Sequence, residues 1–123
     1  MQFVCTFGAQ VRFTSDDAKN PTSAVFADEA KYTFTINDRS EASYVRLKEG
    51  IILPLTFINN GKTINFIERN LGNNQFIVTV FLPDNKQITS MPAVFTLHGW
   101  NKEGKADFLR TYTALGQCMQ LHT

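Results

Sequence analysis

Glu68, Arg69, His98 and Trp100 come nearest, by residue type and spacing, to a chemical centre. His98 shares a strand face with Val94, Thr96 and Trp100, and Glu68 shares one with Phe66. If those faces meet in an interior, Glu68 can orient a ring nitrogen of His98, which is the arrangement a general base needs. The plainer reading is stronger. A single His on a strand face is more often a hydrogen-bonded structural residue, and Glu68-Arg69 reads as the polar end of a strand. No Ser, Cys or Thr nucleophile can be set beside the pair from sequence. These residues, together with Arg110, therefore enter as candidate binding residues, with no catalytic residue assigned. Trp100 is the best anchor among them, because Trp is enriched at binding hot spots.

Other chemistry is poorly supplied. There is no G-x-S-x-G, H-E-x-x-H, C-x-x-C or phosphate loop, and the seven glycines stand singly in turns. Two histidines, His98 and His122, are too few for a zinc site, and Asp16-Asp17 lacks the ligand spacing of a calcium loop. No metal and no cofactor is expected. Twelve basic residues oppose eleven acidic ones, leaving a net charge of +1 without the basic face that nucleic-acid binding needs. No apolar run approaches the roughly 18 residues of a membrane span. Eleven Phe, three Tyr and one Trp supply ample core, so disorder is not expected.

Cys5 and Cys118 stand near opposite ends of the 123 residues. Cys5 alternates with Phe3 and Phe7 on one strand face, which favours a Cys5–Cys118 bridge over two free core thiols. A bridge implies a compartment outside the reducing cytosol. The opening Met1-Gln2-Phe3-Val4 is not a secretory leader, so the expectation is a periplasmic or secreted protein whose leader is absent from this sequence. Asn20-Pro21-Thr22 is blocked as a glycosylation acceptor by its proline, which fits a bacterial exported protein.

The elements that must position these residues are strands. Alternation at period two recurs, broken about every 8–12 residues by turn chemistry. Residues 31–36 put Tyr32, Phe34 and Ile36 on one face; 42–48 follow; 51–58 form a third strand, where Pro54 marks an edge or a bulge. In Asn59-Asn60-Gly61-Lys62, Asn60 and Gly61 can both take the positive φ of a tight type I′ hairpin. The chain returns through 63–68, turns at 70–74 and enters 75–82, both of whose faces read as buried. After a turn at 83–86, 87–89 is a short strand at best. A longer strand covers 93–100, with a turn at 101–105. Segment 108–115 fits helical spacing and alternation alike; Thr111 and Thr113 favour a strand, which Gly116 would end. Asn20-Pro21 reads as a helix start, which makes 24–30 either a short helix within 21–30 or merely a loop before the strand at Lys31.

The result is a single all-β domain over 1–123, an antiparallel meander of about 8–10 strands closed as a β-barrel, with a two-sheet sandwich as the alternative. Closure would bring the first and last strands, and with them the cysteines, together. Phe3, Phe13, Phe34, Phe66, Phe76, Phe95 and Trp100 are placed to line such a barrel. Small barrels are either filled by their own side chains or hold one small ligand, and the filled core is the expectation.

Phe3-x-Cys5-x-Phe7, Phe66-Ile67-Glu68, Gly72-Asn73 leading to Thr79-Val80-Phe81, Pro92-Ala93-Val94 before His98, and Gly116-x-Cys118 together resemble small exported bacterial β-proteins of uncharacterised function. The segments Leu97-His98-Gly99 and Leu115-Gly116-Gln117 depart from that pattern. The resemblance implies an exported, disulfide-closed domain and no particular activity. The functional expectation is a non-enzymatic binding domain that acts on another protein, inhibitor- or immunity-like, through turns at 59–62, 70–74 and 100–105. A small apolar ligand or lipid in the barrel is the first alternative, and an enzyme using His98 and Glu68 the second.

Overall fold

Alternating apolar residues make strands along almost the whole chain, because a strand sends every second side chain to the same face. The computed structural model describes residues 1–15, 22–26, 29–37, 43–46, 50, 52–68, 74–85, 87–103 and 106–121, with backbone alone at 9–10, 12–15, 22–26, 74, 100–103 and 106–110. The strands are β1 (Gln2–Ser15), β2 (Thr22–Phe26), β3 (Ala30–Ile36), β4 (Ser43–Arg46), β5 (Ile52–Asn59), β6 (Thr63–Glu68), β7 (Asn74–Phe81), β8 (Ser90–Glu103) and β9 (Ala106–Leu121).

From β3 to β9 each strand pairs antiparallel with the next, and β9 returns to pair with β1. The first half of β1 carries β3 (Phe3↔Phe34, Cys5↔Tyr32), while its second half carries β2 (Gln10↔Phe26, Arg12↔Ala24). Its other edge is zipped to β9 from Gln2↔Leu121 to Ser15↔Leu109. Eight strands thus close a barrel, and β2 extends one wall beyond β3. Closure leaves β2, which pairs with β1 alone among the described strands, as the strand with an open edge.

The inward residues alternate as the pattern requires. Phe3, Cys5 and Phe7 on β1, Phe34 and Ile36 on β3, Ile64 and Phe66 on β6, Val78 and Val80 on β7, and Met91, Ala93 and Phe95 on β8 are all buried. The aromatic rings form a chain: Phe3 meets Phe66 edge-on at 6.1 Å, Phe66 stacks on Phe34 at 4.7 Å, and Tyr32 and Phe76 both stack on Phe95 at 5.9 Å. The outer face mixes hydroxyl and amide groups with exposed apolar side chains such as Ile52, Ile58 and Leu115. There Thr79 Oγ1 donates to Asn65 Oδ1 at 2.6 Å, and Ser90 Oγ donates to Gln117 Oε1 at 2.8 Å.

Several local expectations are corrected. No helix occupies the described part of 21–30; Thr22–Phe26 is a strand, because the protruding half of β1 offers it a ladder and Val25 and Phe26 suit a sheet. Residues 87–89 lie outside any strand. β8 runs through to Glu103, past the turn expected from residue 101. Only one face of β7 is buried, since its other face is the barrel exterior, where Phe81 is 43% exposed. The hairpin after β5 centres one residue later than expected, on Gly61-Lys62. Asn60 N–H donates to the Thr63 carbonyl, the Lys62 and Thr63 N–H groups donate to Asn60 Oδ1, and Gly61 takes φ 87°. Pro54 marks neither an edge nor a bulge: β5 lies between β4 and β6, and Pro54 stands opposite Tyr44 in an unbroken β4–β5 register.

Gly116 does not end β9, which continues to Leu121. It lies opposite Phe7, where the β1–β9 register slips by one residue between Phe7 and Gln10. A methyl group on Gly116 would lie 2.7 Å from Phe7 Cδ1 and 2.9 Å from Phe7 Cα, and against the Thr6 carbonyl oxygen. Close approach of two backbones therefore demands this glycine. Gly116→Ala is expected to cost about 1–3 kcal/mol in urea denaturation, and a wild-type midpoint would show that the seam has room.

Cys5 and Cys118 face each other across that seam, both fully buried, with their sulfurs at bonding distance, 1.97 Å.

Candidate functional site

The barrel is filled at one end and hollow at the other. Phe3, Ile36, Ile64, Phe66 and the cysteine pair pack the filled part of the core. Beyond them a cavity of about 250 Å³ remains. β3 contributes Tyr32 and Phe34 to its wall, β4 Val45, β5 Leu53, β6 Glu68, β7 Phe76, and β8 Phe95 and Leu97. Each is there by strand parity. Glu68 follows Ile64 and Phe66 at two-residue steps, and Leu97 follows Ala93 and Phe95 in the same way.

Apolar groups dominate this wall, with two polar ones among them. Glu68 is half-buried and is the one charged side chain lining the cavity among the described residues. Tyr32 is also half-buried, and burial pushes its phenol above the ordinary value of 10.0 by disfavouring the phenolate. A raised folded-state value means this contribution to stability is complete below the unfolded tyrosine value and is lost as pH rises through the folded one. Unfolding free energy should therefore fall as pH rises past about 10, and Tyr32→Phe should flatten that fall. An unchanged slope in the variant would assign the loss to other groups.

The residues singled out from sequence separate. Glu68 faces the cavity, whereas His98, next to inward Leu97, is exposed on the outer wall opposite Gln75 and Thr111. The wall stands between them, so Glu68 does not orient the imidazole. Trp100 and Arg110 are placed by backbone, opposite Leu109 and Gly99 respectively, and their side chains lie outside the described residues. Arg69 lies outside them altogether, as does most of the 70–74 turn. The 59–62 turn is exposed.

Of the aromatic residues expected to line a hollow, Phe34, Phe76 and Phe95 do so, while Phe3 and Phe66 fill the packed end. The side chain of Phe13 lies outside the described residues. Tyr32, Val45, Leu53 and Leu97 were missed as lining residues. Their signal was present, since each sits two residues from another inward apolar side chain, or directly opposite one across the ladder, as Val45 does with Phe34 and Leu53.

Among the described residues no group of three or more His, Cys, Asp or Glu side chains could hold a metal ion. No helix there is long and apolar enough to cross a membrane. No protein-family model matches the chain, and no curated protein matches its sequence.

Proposed function

We propose that the protein binds a small, largely apolar ligand inside the barrel. The observation that carries this reading is the cavity of about 250 Å³, walled by four aromatic rings and three aliphatic side chains. Close packing is the norm for protein cores, and a hollow of this size forfeits contacts that larger side chains would have made. Ligand sites typically measure roughly 300–1,000 Å³ and combine apolar walls with few polar groups, so the ligand is a small one. The buried cysteine pair supports an exported, oxidising compartment, as does the resemblance to exported bacterial β-proteins.

The test is a fluorescence titration with N-phenyl-1-naphthylamine, a neutral apolar dye, on wild type and on Leu97→Trp, which fills the cavity. Saturable one-site binding that disappears in the variant, with the far-ultraviolet circular dichroism unchanged, is the expected result. Equal binding by both proteins would put the dye elsewhere and remove the proposal's support.

A second reading, capture of another protein, is favoured by the outer face of β9. Leu115 is 71% and Met119 53% exposed there, paired with Val94 and Val4 on the flanking strands. A partner retained by wild type and lost in Leu115→Lys/Met119→Lys would support it; retention by both would dispose of it.

A further inference from the structure

Among the described residues Glu68 is the one charged side chain in a wall that is otherwise largely apolar. A half-buried carboxylate keeps part of its hydration and still offers its charge to whatever enters the cavity. No hydrogen bond or ion pair joins Glu68 to another described residue, and the other described groups lining the cavity are all aromatic or aliphatic. None is basic. The Tyr32 phenol is neutral at physiological pH, as any tyrosine with the ordinary value of 10.0 would be, and burial only raises its pKa further.

Building on the apolar-ligand reading above, we infer that the barrel selects a small organic ammonium ion, with its apolar body among the rings and its positive head against Glu68. Three ligand classes compete for such a cavity, and electrostatics separates them. An anion would meet a like charge, with no cationic side chain among the described lining residues to offset it. A neutral ligand would strip water from the carboxylate and return nothing. A cation restores a counter-charge in a region of reduced dielectric, where the attraction is stronger than in water. The surrounding aromatic rings add to this, since their π-systems attract cations. Because Glu68 is half-buried, any N–H donors on the head that Glu68 leaves unpaired can still reach water.

The decisive comparison uses two molecules of the same shape. Benzyltrimethylammonium and neopentylbenzene differ in having a charged nitrogen or a neutral carbon at the branching atom. Each is used to displace N-phenyl-1-naphthylamine from wild type and from Glu68→Gln, which keeps the side chain's shape and removes its charge. In wild type the cation should displace the dye at a concentration about tenfold lower than its neutral twin. In Glu68→Gln that advantage should shrink severalfold, while neopentylbenzene binds as before. Equal displacement by both molecules in wild type would overturn the ammonium inference and leave the apolar cavity standing. A cation preference that survives intact in Glu68→Gln would also overturn it, because the selectivity would then lie elsewhere. Failure of the dye itself to bind would bring down the cavity reading, and this inference with it.

Discussion

Replacing Cys5 and Cys118 together by alanine is expected to lower the unfolding free energy by about 4 kcal/mol. The sequence separation is 113, so the bridge closes nearly the entire chain into a loop. Chain-entropy arithmetic for a loop of that length gives about 4–5 kcal/mol as an upper figure, reduced by residual structure in the unfolded state. The location adds to this. The pair staples β1 to β9, the junction on which closure of the whole barrel depends. For a domain of this size the loss corresponds to a fall of about 15 °C in Tm. Denaturation in urea of the oxidised protein, the reduced protein and the double variant measures it, with the last two expected to coincide. A difference below about 1 kcal/mol between oxidised and reduced protein would mean that the seam's ladder and core alone hold the barrel shut.

Phe66→Ala should cost about 3–5 kcal/mol, the range for removing a large ring from a close-packed site. Phe66 is fully buried, stacked on Phe34 and edge-on to Phe3. Its neighbours are pinned to β1 and β3 and cannot collapse into the gap, which places the cost towards the upper end. A second consequence follows from Phe34, which contacts Phe66 on one side and lines the cavity. Deleting Phe66 should join the new void to the existing hollow, so the variant accepts apolar ligands larger than wild type admits. A loss of stability without any change in ligand size would show that Phe34 still partitions the two spaces.

Alternation made the strands, the barrel and the meeting of the terminal cysteines legible, because a period of two and frequent turn residues admit few other architectures. The inside of each strand was harder to assign. On β8, Val94, Thr96, His98 and Trp100 share one face and Ala93, Phe95, Leu97 and Gly99 the other; both carry large apolar groups, and alternation says which residues travel together without saying which set is enclosed. Burial resolves it in favour of Phe95, and His98 is left outside. On β6 the contrast between Ile64-Phe66-Glu68 and Thr63-Asn65 was sharper, and the grouping of Glu68 with Phe66 held. The segment at 22–26 misled for a different reason. Its cap signal is local, while the ladder that makes it a strand is supplied by the far half of β1. The slip between Phe7 and Gln10 has no local signature at all, because it reflects the close passage of β1 over Gly116, more than a hundred residues away in sequence.

The pairing of β1 with β9 also imposes an order in time. A ribosome releases β1 first, yet twelve of its residues find their β9 partners only once 109–121 have been made. Until then a long strand edge stays available to any other chain nearby, and an oxidant meets Cys5 with no second thiol in the preceding 117 residues to receive it. Folds dominated by such distant pairings close slowly, in about milliseconds to seconds. Closure of the wall and capture of the last cysteine therefore arrive together, as one late event in the life of the nascent chain.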